Sequence, residues 1–268
     1  MKSLETLQTD RVTFSPSRAI SDGWNLVSRH MGYYILGGVV AVLIGMAAGI
    51  IPFAGAILNS LIISPCFAAS AVFISWQISK GIAWTDFGDI FKGFNFVGPM
   101  FVSTIIQAIV SGALIVLCFY NYIPQLKDFF ELTQSTDVYN NKAAIEALAR
   151  QFFNTETLLL FVLLMLALML LSIIWAFKNH FIVIYNLKGW EAMEMSRKIT
   201  THNIIPLLGL FFMLGIIIII SALPCGIGLL FSVPLSITAV YSAFAQITEC
   251  DVTEIDHEMF DFVQDEQA

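Results

Sequence analysis

LPCGIGLLFSVPLSITAVYSAFAQI, residues 223–247, decides the fold, because the chain has already carried its pattern once, as IPFAGAILNSLIISPCFAASAVFISWQI at 51–78. Each stretch opens on an apolar residue and a proline (Pro52, Pro224), turns through glycine, and sets a second proline inside an apolar run. Each closes on Gln-Ile, with eleven residues between Pro65 and Gln77 and eleven between Pro234 and Gln246. Upstream, His30, Leu36, Gly37 and Pro52 match His202, Leu208, Gly209 and Pro224 at one constant offset. The pattern predicts a duplicated helix pair in a membrane protein.

Composition leads the same way. Of 268 residues, 57% are hydrophobic and only 12% charged, against roughly 25% charged in soluble domains. The charges cluster, leaving uncharged stretches of about 20 residues that match the hydrocarbon thickness of a bilayer at 1.5 Å per helical residue. The net charge of −7 is concentrated at the end, where eight acidic residues and no Lys or Arg follow from Glu249 onward. No basic face of the kind that binds nucleic acid is present. No apolar segment with a small-residue cleavage site occurs in the first thirty residues, so no cleavable signal is expected.

The reading is an all-α, polytopic membrane helix bundle of six transmembrane helices, with a parallel internal repeat and interfacial amphipathic helices. Residues 1–32 form a cytoplasmic lead-in and an interfacial helix, with Ile20, Trp24, Val27 and Met31 at helical spacing and Trp24 as anchor. The membrane domain is 33–247, with spans near 33–51, 56–79, 96–120, 157–177, 204–223 and 226–247. The fourth helix is expected to extend past Lys178. Between spans 2 and 3, Trp84, Phe87, Phe91 and Phe94 recur at i, i+3, i+7 and i+10 and predict a second interfacial helix. A third, 190–200, begins at Trp190. The external loop is 121–156, with a helical pattern at 142–153, and 248–268 is an acidic cytoplasmic tail.

Lysine and arginine placement sets the orientation. Lys2, Arg11, Arg18, Arg29, Lys80, Lys92, Lys178, Lys188, Arg197 and Lys198 fall on the side of both termini; only Lys127, Lys142 and Arg150 fall on the other. Both termini are therefore expected in the cytoplasm of a bacterial cytoplasmic (inner) membrane protein. Spans 1–2 and 5–6 then insert with the same polarity, related by an axis along the membrane normal, and spans 3 and 4 lie between them.

FIVIYNLKGWEAMEMSRKIT at 181–200, the Pro224-Cys-Gly-Ile-Gly turn and the run from Pro234 to Tyr241 resemble a broad group of bacterial six-helix membrane proteins. That group includes the membrane domain fused to some glycerophosphodiester phosphodiesterases. The resemblance implies a membrane domain and offers no catalytic or ligand residues to carry over. The chain contains no phosphodiesterase domain, so that activity is not implied.

No Asp, Glu, Lys, Arg or His lies inside any of the six spans. Proton- and ion-coupled carriers need a titrating or coordinating group at depth, so that class is disfavoured. Intramembrane proteolysis is too, because neither paired Asp nor HExxH occurs. Cys66, Cys118, Cys225 and Cys250 lack the spacing of a metal site; Cys118 would pair with Cys225 only if that face were oxidising, and Cys otherwise fills apolar space. His30, His180 and His202 fall at one membrane face but share no ligand spacing. No metal, cofactor or catalytic residue is expected.

Pro65 and Pro234 are the candidate central features, since each removes a backbone donor near mid-span. Paired interruptions in two repeats mark either a binding site or a kink copied by duplication. Asn59, Gln107 and Ser232 are the polar residues expected to turn toward the same space. Gln77 and Gln246 sit near the cytoplasmic ends, solvated or as a polar clamp. The tail is either a solvated acidic end or a helix docking on Arg197, Lys198 or a basic partner. The expected partners are membrane lipid and a protein at the cytoplasmic face or tail. The function expected is a non-enzymatic scaffold or accessory protein; the alternative is a carrier of a neutral or lipid-like molecule through kinked spans 2 and 6.

Overall fold

The computed structural model describes residues 3–9, 12–51, 53–82, 87–134, 150, 154–223, 226 and 228–249. Pro52, Trp84, Pro224, Cys225 and the acidic tail from Cys250 lie outside the described residues, as does nearly all of the helical pattern expected at 142–153. The described elements are all helical, with no strand among them. In chain order they are α1 (Leu4–Thr9), α2 (Pro16–Arg29), α3 (Met31–Gly49), α4 (Ala54–Leu58) and α5 (Ser64–Ser79), then α6 (Val97–Phe119) and α7 (Ile123–Gln134). After these come α8 (Thr155–Ile174), α9 (Lys178–Tyr185), α10 (Gly189–His202), α11 (Ile204–Ala222) and α12 (Leu229–Thr248).

Six helical runs are long and apolar enough to cross a membrane: Met31–Gly49, Ala54–Ser79, Phe87–Tyr122, Thr155–Tyr185, Ile204–Ala222 and Leu229–Thr248. Four fall close to the expected spans; the third opens nine residues early, at Phe87, and the fourth runs on to Tyr185. Past Lys178 the fourth run goes on as a separate helix, α9, after a turn at 175–177, so the expected extension is not one unbroken helix.

The chain divides into two compact units, residues 1–103 with 174–268, and residues 104–173. In the first unit the interior belongs to the second and last runs. Buried residues make up 44% and 61% of those two, against 6% of the run formed by α3 and 17% of the run formed by α11. Helices α3 and α5 pack together, as do α11 and α12, and α5 touches α12.

Two polar-faced segments are laid along this interior pair. Helix α2 starts with Pro16 at its first turn, where the missing N–H costs nothing. It packs lengthwise on the last turns of α12. Its buried face is Ala19, Gly23 and Val27, while Trp24 is 47% exposed. Of the expected stripe, Val27 is on the packed face and Met31 lies against its cluster, while Trp24 faces out; the reason α12 meets Ala19 and Gly23 is steric. A Cβ on Gly23 would stand 2.7 Å from the backbone nitrogen of Ala239, so only a small-residue face can approach α12. Outward, α2 presents Ser17, Arg18, Ser21, Asn25, Ser28 and Arg29.

The second segment, Phe87–Phe96, is a 3₁₀ helix rather than the α-helix its aromatic spacing suggests. A 3₁₀ turn eclipses i and i+3; Asp89 and Lys92 meet there at 2.9 Å, with the ammonium 5.4 Å from the centre of the Phe73 ring. Gly93 lies directly on α5: a Cβ there would fall on the carbonyl of Cys66 and 2.5 Å from the Ser70 hydroxyl. That hydroxyl accepts the Gly93 N–H at 2.9 Å and donates to Cys66 O at 3.1 Å. Phe67 of α5 closes the contact against Phe91 and Phe94.

The two prolines are accommodated differently. A π-helical turn, Asn59–Ile63, precedes α5, so Pro65 sits in a first turn and its missing donor is absorbed there. Pro234 stands inside the continuous helix α12.

Between α8 and α9 the chain breaks for three residues. The Ser196 hydroxyl spans the break, accepting from Phe177 N at 3.2 Å and donating to Ile174 O at 3.0 Å. Asn186, in the left-handed region (φ 50), ends α9. On the exposed side of α10, Arg197 pairs with Glu194 through two bonds of 2.8 and 2.6 Å. These bonds hold the Glu194 carboxyl below the usual carboxylate range.

The second unit holds most of α6, α7 and nearly all of α8. Asn154 caps α8 by accepting the Thr157 N–H at 2.8 Å. Ile109, Leu117, Leu158, Val162 and Leu166 are among many large apolar side chains exposed here. A surface of this kind marks contact with a membrane or another protein.

Candidate functional site

Helices α3, α5 and α12 leave a cavity of about 590 Å³ between them within the first unit. Glycine creates the space. Gly37 and Gly38 both line it, and a Cβ on either would meet nothing within 4 Å. On α5 the wall is Ser64, Phe67, Ala68, Ser70, Ala71 and Ile74; on α12 it is Leu229, Leu230, Val233, Pro234 and Ile237. Tyr33 and Tyr34 mark one end, where the Tyr34 hydroxyl bonds Ser75 at 3.0 Å and packs beside Val27 and Ile74. Toward the other end Ile63, Phe67 and Ile90 form a buried cluster against Ala41 and Ile44. The lining is apolar apart from the tyrosines and two serines, so its chemistry is burial of hydrocarbon.

Of the five residues expected to share a central space, only Pro234 reaches this cavity. Pro65 is half-buried at the start of α5 and does not line it. The Asn59 carboxamide sits against Gly45, whose Cβ would stand 3.2 Å from its oxygen. Gly45 therefore serves close packing of α3 on the π turn. Ser232 is buried away from the cavity, its hydroxyl without a partner among the described residues. Gln107 belongs to the second unit. Among the interfacial anchors, Trp190 is exposed on α10 and Trp24 half-exposed on α2.

Gln246 is the clamp that the sequence left open. Its carboxamide accepts the Ser15 N–H at 3.2 Å and donates to the Asp22 carboxylate at 3.1 Å, tying α2 to α12. Gln77 is buried near the end of α5.

His180 is a residue whose setting the sequence does not disclose. It is 4% exposed, stacked on Tyr241 and Phe244 at 6.3 and 5.0 Å, with Phe177 edge-on at 5.9 Å. Neither ring nitrogen has a hydrogen-bond partner among the described residues. No group of three or more His, Cys, Asp or Glu among the described residues is placed to hold a metal ion. Cys66 is free and buried and Cys118 free and half-buried; pairing of Cys118 with Cys225 falls outside the described residues.

Fold and site together define a helical protein with six helices fit to cross a membrane and an apolar cavity on three of them. Compared with protein-family models, curated proteins and solved structures, the chain matches none. Its assignment rests on its own geometry.

Proposed function

We propose that the chain is a non-enzymatic integral protein of a bacterial cytoplasmic membrane, acting as a scaffold or accessory protein, with both termini in the cytoplasm. The observation that carries this reading is the character of the space beside the interior pair. It is apolar, and it touches Pro234 but not Pro65. A polar pathway between matched kinks, which a carrier of hydrophilic solutes needs, has no counterpart in that lining. The parallel repeat of spans 1–2 and 5–6 is part of the proposal, supported by the packing of α3 on α5 and of α11 on α12. Partners belong at the exposed faces of α2 and α10 and at the acidic tail.

The second reading, a carrier for a lipid-like molecule, is favoured by one feature, the contact of the apolar cavity with Pro234 in α12. Reconstitution separates the two. Proteoliposomes carrying a fluorescent phospholipid in one leaflet should show no faster transfer to the other leaflet than protein-free vesicles if the chain is an accessory protein. Faster transfer would replace that reading with the carrier. Cysteine labelling at Ser3, Lys127 and Lys188, with native cysteines removed, tests the orientation: the first and third should label from the cytoplasmic side and the second from outside.

A further inference from the structure

The cavity has the dimensions of one leaflet. On α3 its wall runs from Tyr33 to Leu43, and along the end of the π turn and α5 from Ile63 to Ile74. At 1.5 Å per residue these walls are about 15 Å and about 16 Å long. Half of a hydrocarbon core of about 30 Å is about 15 Å. A space of this length with an almost wholly apolar lining suits extended hydrocarbon chains.

The two ends differ as the ends of a lipid differ. Tyr33, at the start of α3, is 41% exposed, and tyrosine favours the headgroup level of a bilayer. Arg29, which ends α2 just before it, is exposed and makes no ion pair among the described residues. The far end carries no charge and is lined by Leu43, Ile63, Phe67 and Leu230, with Ser64 beside them. We propose that this cavity seats the acyl portion of one anionic glycerophospholipid from the leaflet at the N-terminal end of α3, its headgroup held beside Tyr33 and Arg29. The site rests on the reading of the chain as membrane-embedded, and it makes the lipid a resident part of the first unit.

Gly38 provides the test. Gly38 lines the cavity and a Cβ there meets nothing within 4 Å, so Gly38→Leu should extend into the space. The full chain would be reconstituted in phosphatidylcholine vesicles doped with phosphatidylglycerol bearing a mid-chain diazirine. After illumination, adducts would be mapped by peptide mass spectrometry. Adducts should concentrate on 33–43, 63–74 and 229–237 and fall several-fold in Gly38→Leu, with thermal stability retained. Met46→Leu, at an exposed position on the same helix outside the cavity, should leave them unchanged. A phosphatidylcholine probe should label several-fold less, and Arg29→Gln should remove that preference. Labelling spread evenly over the exposed side chains of α8, or unaffected by Gly38→Leu, would reduce the cavity to ordinary annular contact and overturn the site. Equal labelling by both headgroups would overturn the role of Arg29. Benzoylphenylalanine at Val39 joining two copies would give the groove to a second chain. The leaflet-transfer assay on the same vesicles is independent: transfer would sink the accessory reading while leaving the lipid seat standing.

Discussion

The hydroxyl of Thr238 donates to the carbonyl of Gly23 at 2.9 Å, joining residues 215 positions apart where α2 lies against α12. The bond forms because Gly23 has no side chain: its backbone rests on that of Ala239. A polar-faced helix is thereby fixed to the most buried span of the protein.

Gly23→Leu should therefore displace α2 rather than be absorbed. Overpacking at a backbone contact costs about 1–3 kcal/mol. Hydrogen exchange in detergent should show lost protection across Pro16–Arg29 while α8 keeps its own. Unchanged protection of α2 would mean that the contact does not hold the helix.

Gln246 makes the second attachment, and its loss should act at the start of α2. Gln246→Ala removes one bond from the Ser15 N–H and one to the Asp22 carboxylate. Each is worth about 0.5–3 kcal/mol net depending on charge and exposure. Proteolysis between Val12 and Ser15 should accelerate in the variant, whereas Gln246→Glu, which cannot donate to Asp22, should resemble the alanine variant. Wild-type proteolysis in both would remove the clamp.

Glycines 93 and 38 should respond in opposite ways. Ala at 93 drives a methyl into the carbonyl of Cys66 and the Ser70 hydroxyl, forcing the 3₁₀ segment off α5. Ala at 38 meets open space, and replacing glycine in a helix stabilises by about 0.5–1 kcal/mol. Thermal unfolding in micelles should move down for Gly93→Ala and stay or rise for Gly38→Ala. A loss at 38 matching that at 93 would contradict the open cavity wall.

The spans were legible in the sequence because hydrocarbon imposes a length and excludes charge, and 33–51, 56–79 and 204–223 say so without help from packing. The aromatic stripe of Phe87, Phe91 and Phe94 also announced a segment with one apolar side. Its 3₁₀ geometry was hidden, because that depends on how closely Gly93 meets α5. The face by which α2 meets α12 was hidden for a related reason: hydrophobicity draws the eye to Trp24, while close approach selects Ala19 and Gly23 beside Val27. The site was less legible than the fold. Prolines advertise themselves, so Pro65 and Pro234 drew attention together, yet the π turn at Asn59–Ile63 separates their roles. The Gly37-Gly38 pair was the available signal for the cavity; farther along α3, Gly45 packs against Asn59 and Gly49 has open space.

His180 is buried among Phe177, Tyr241 and Phe244, and neither nitrogen has a partner among the described residues. Such a group costs about 1–3 kcal/mol against an apolar residue of similar shape. His180→Phe should accordingly raise the thermal midpoint in micelles. A lower midpoint would show that the imidazole has a partner that stabilises it, and His180→Asn, which keeps a polar group but loses the ring, would then separate bonding from stacking.

The depth of α8 can be tested with two arginines. Leu166 lies near its centre and is 52% exposed, and Leu158 lies in its first turn and is 62% exposed. Both face outward, so packing does not distinguish them. A bilayer does: arginine costs about 2.5–3.5 kcal/mol at the centre of a span, and near an end its side chain snorkels to the headgroups. No acidic residue of α8 lies near Leu166 to offset the charge, since Glu156 is in the first turn. Leu166→Arg should lower the fraction of chain that resists alkaline extraction from membranes, and Leu158→Arg should leave it close to wild type. If both behave like wild type, α8 is not in hydrocarbon and the six-span architecture fails at its most apolar member. If both fail alike, the surface is buried against protein, and the exposed apolar side chains of the second unit are an interface instead of a lipid boundary.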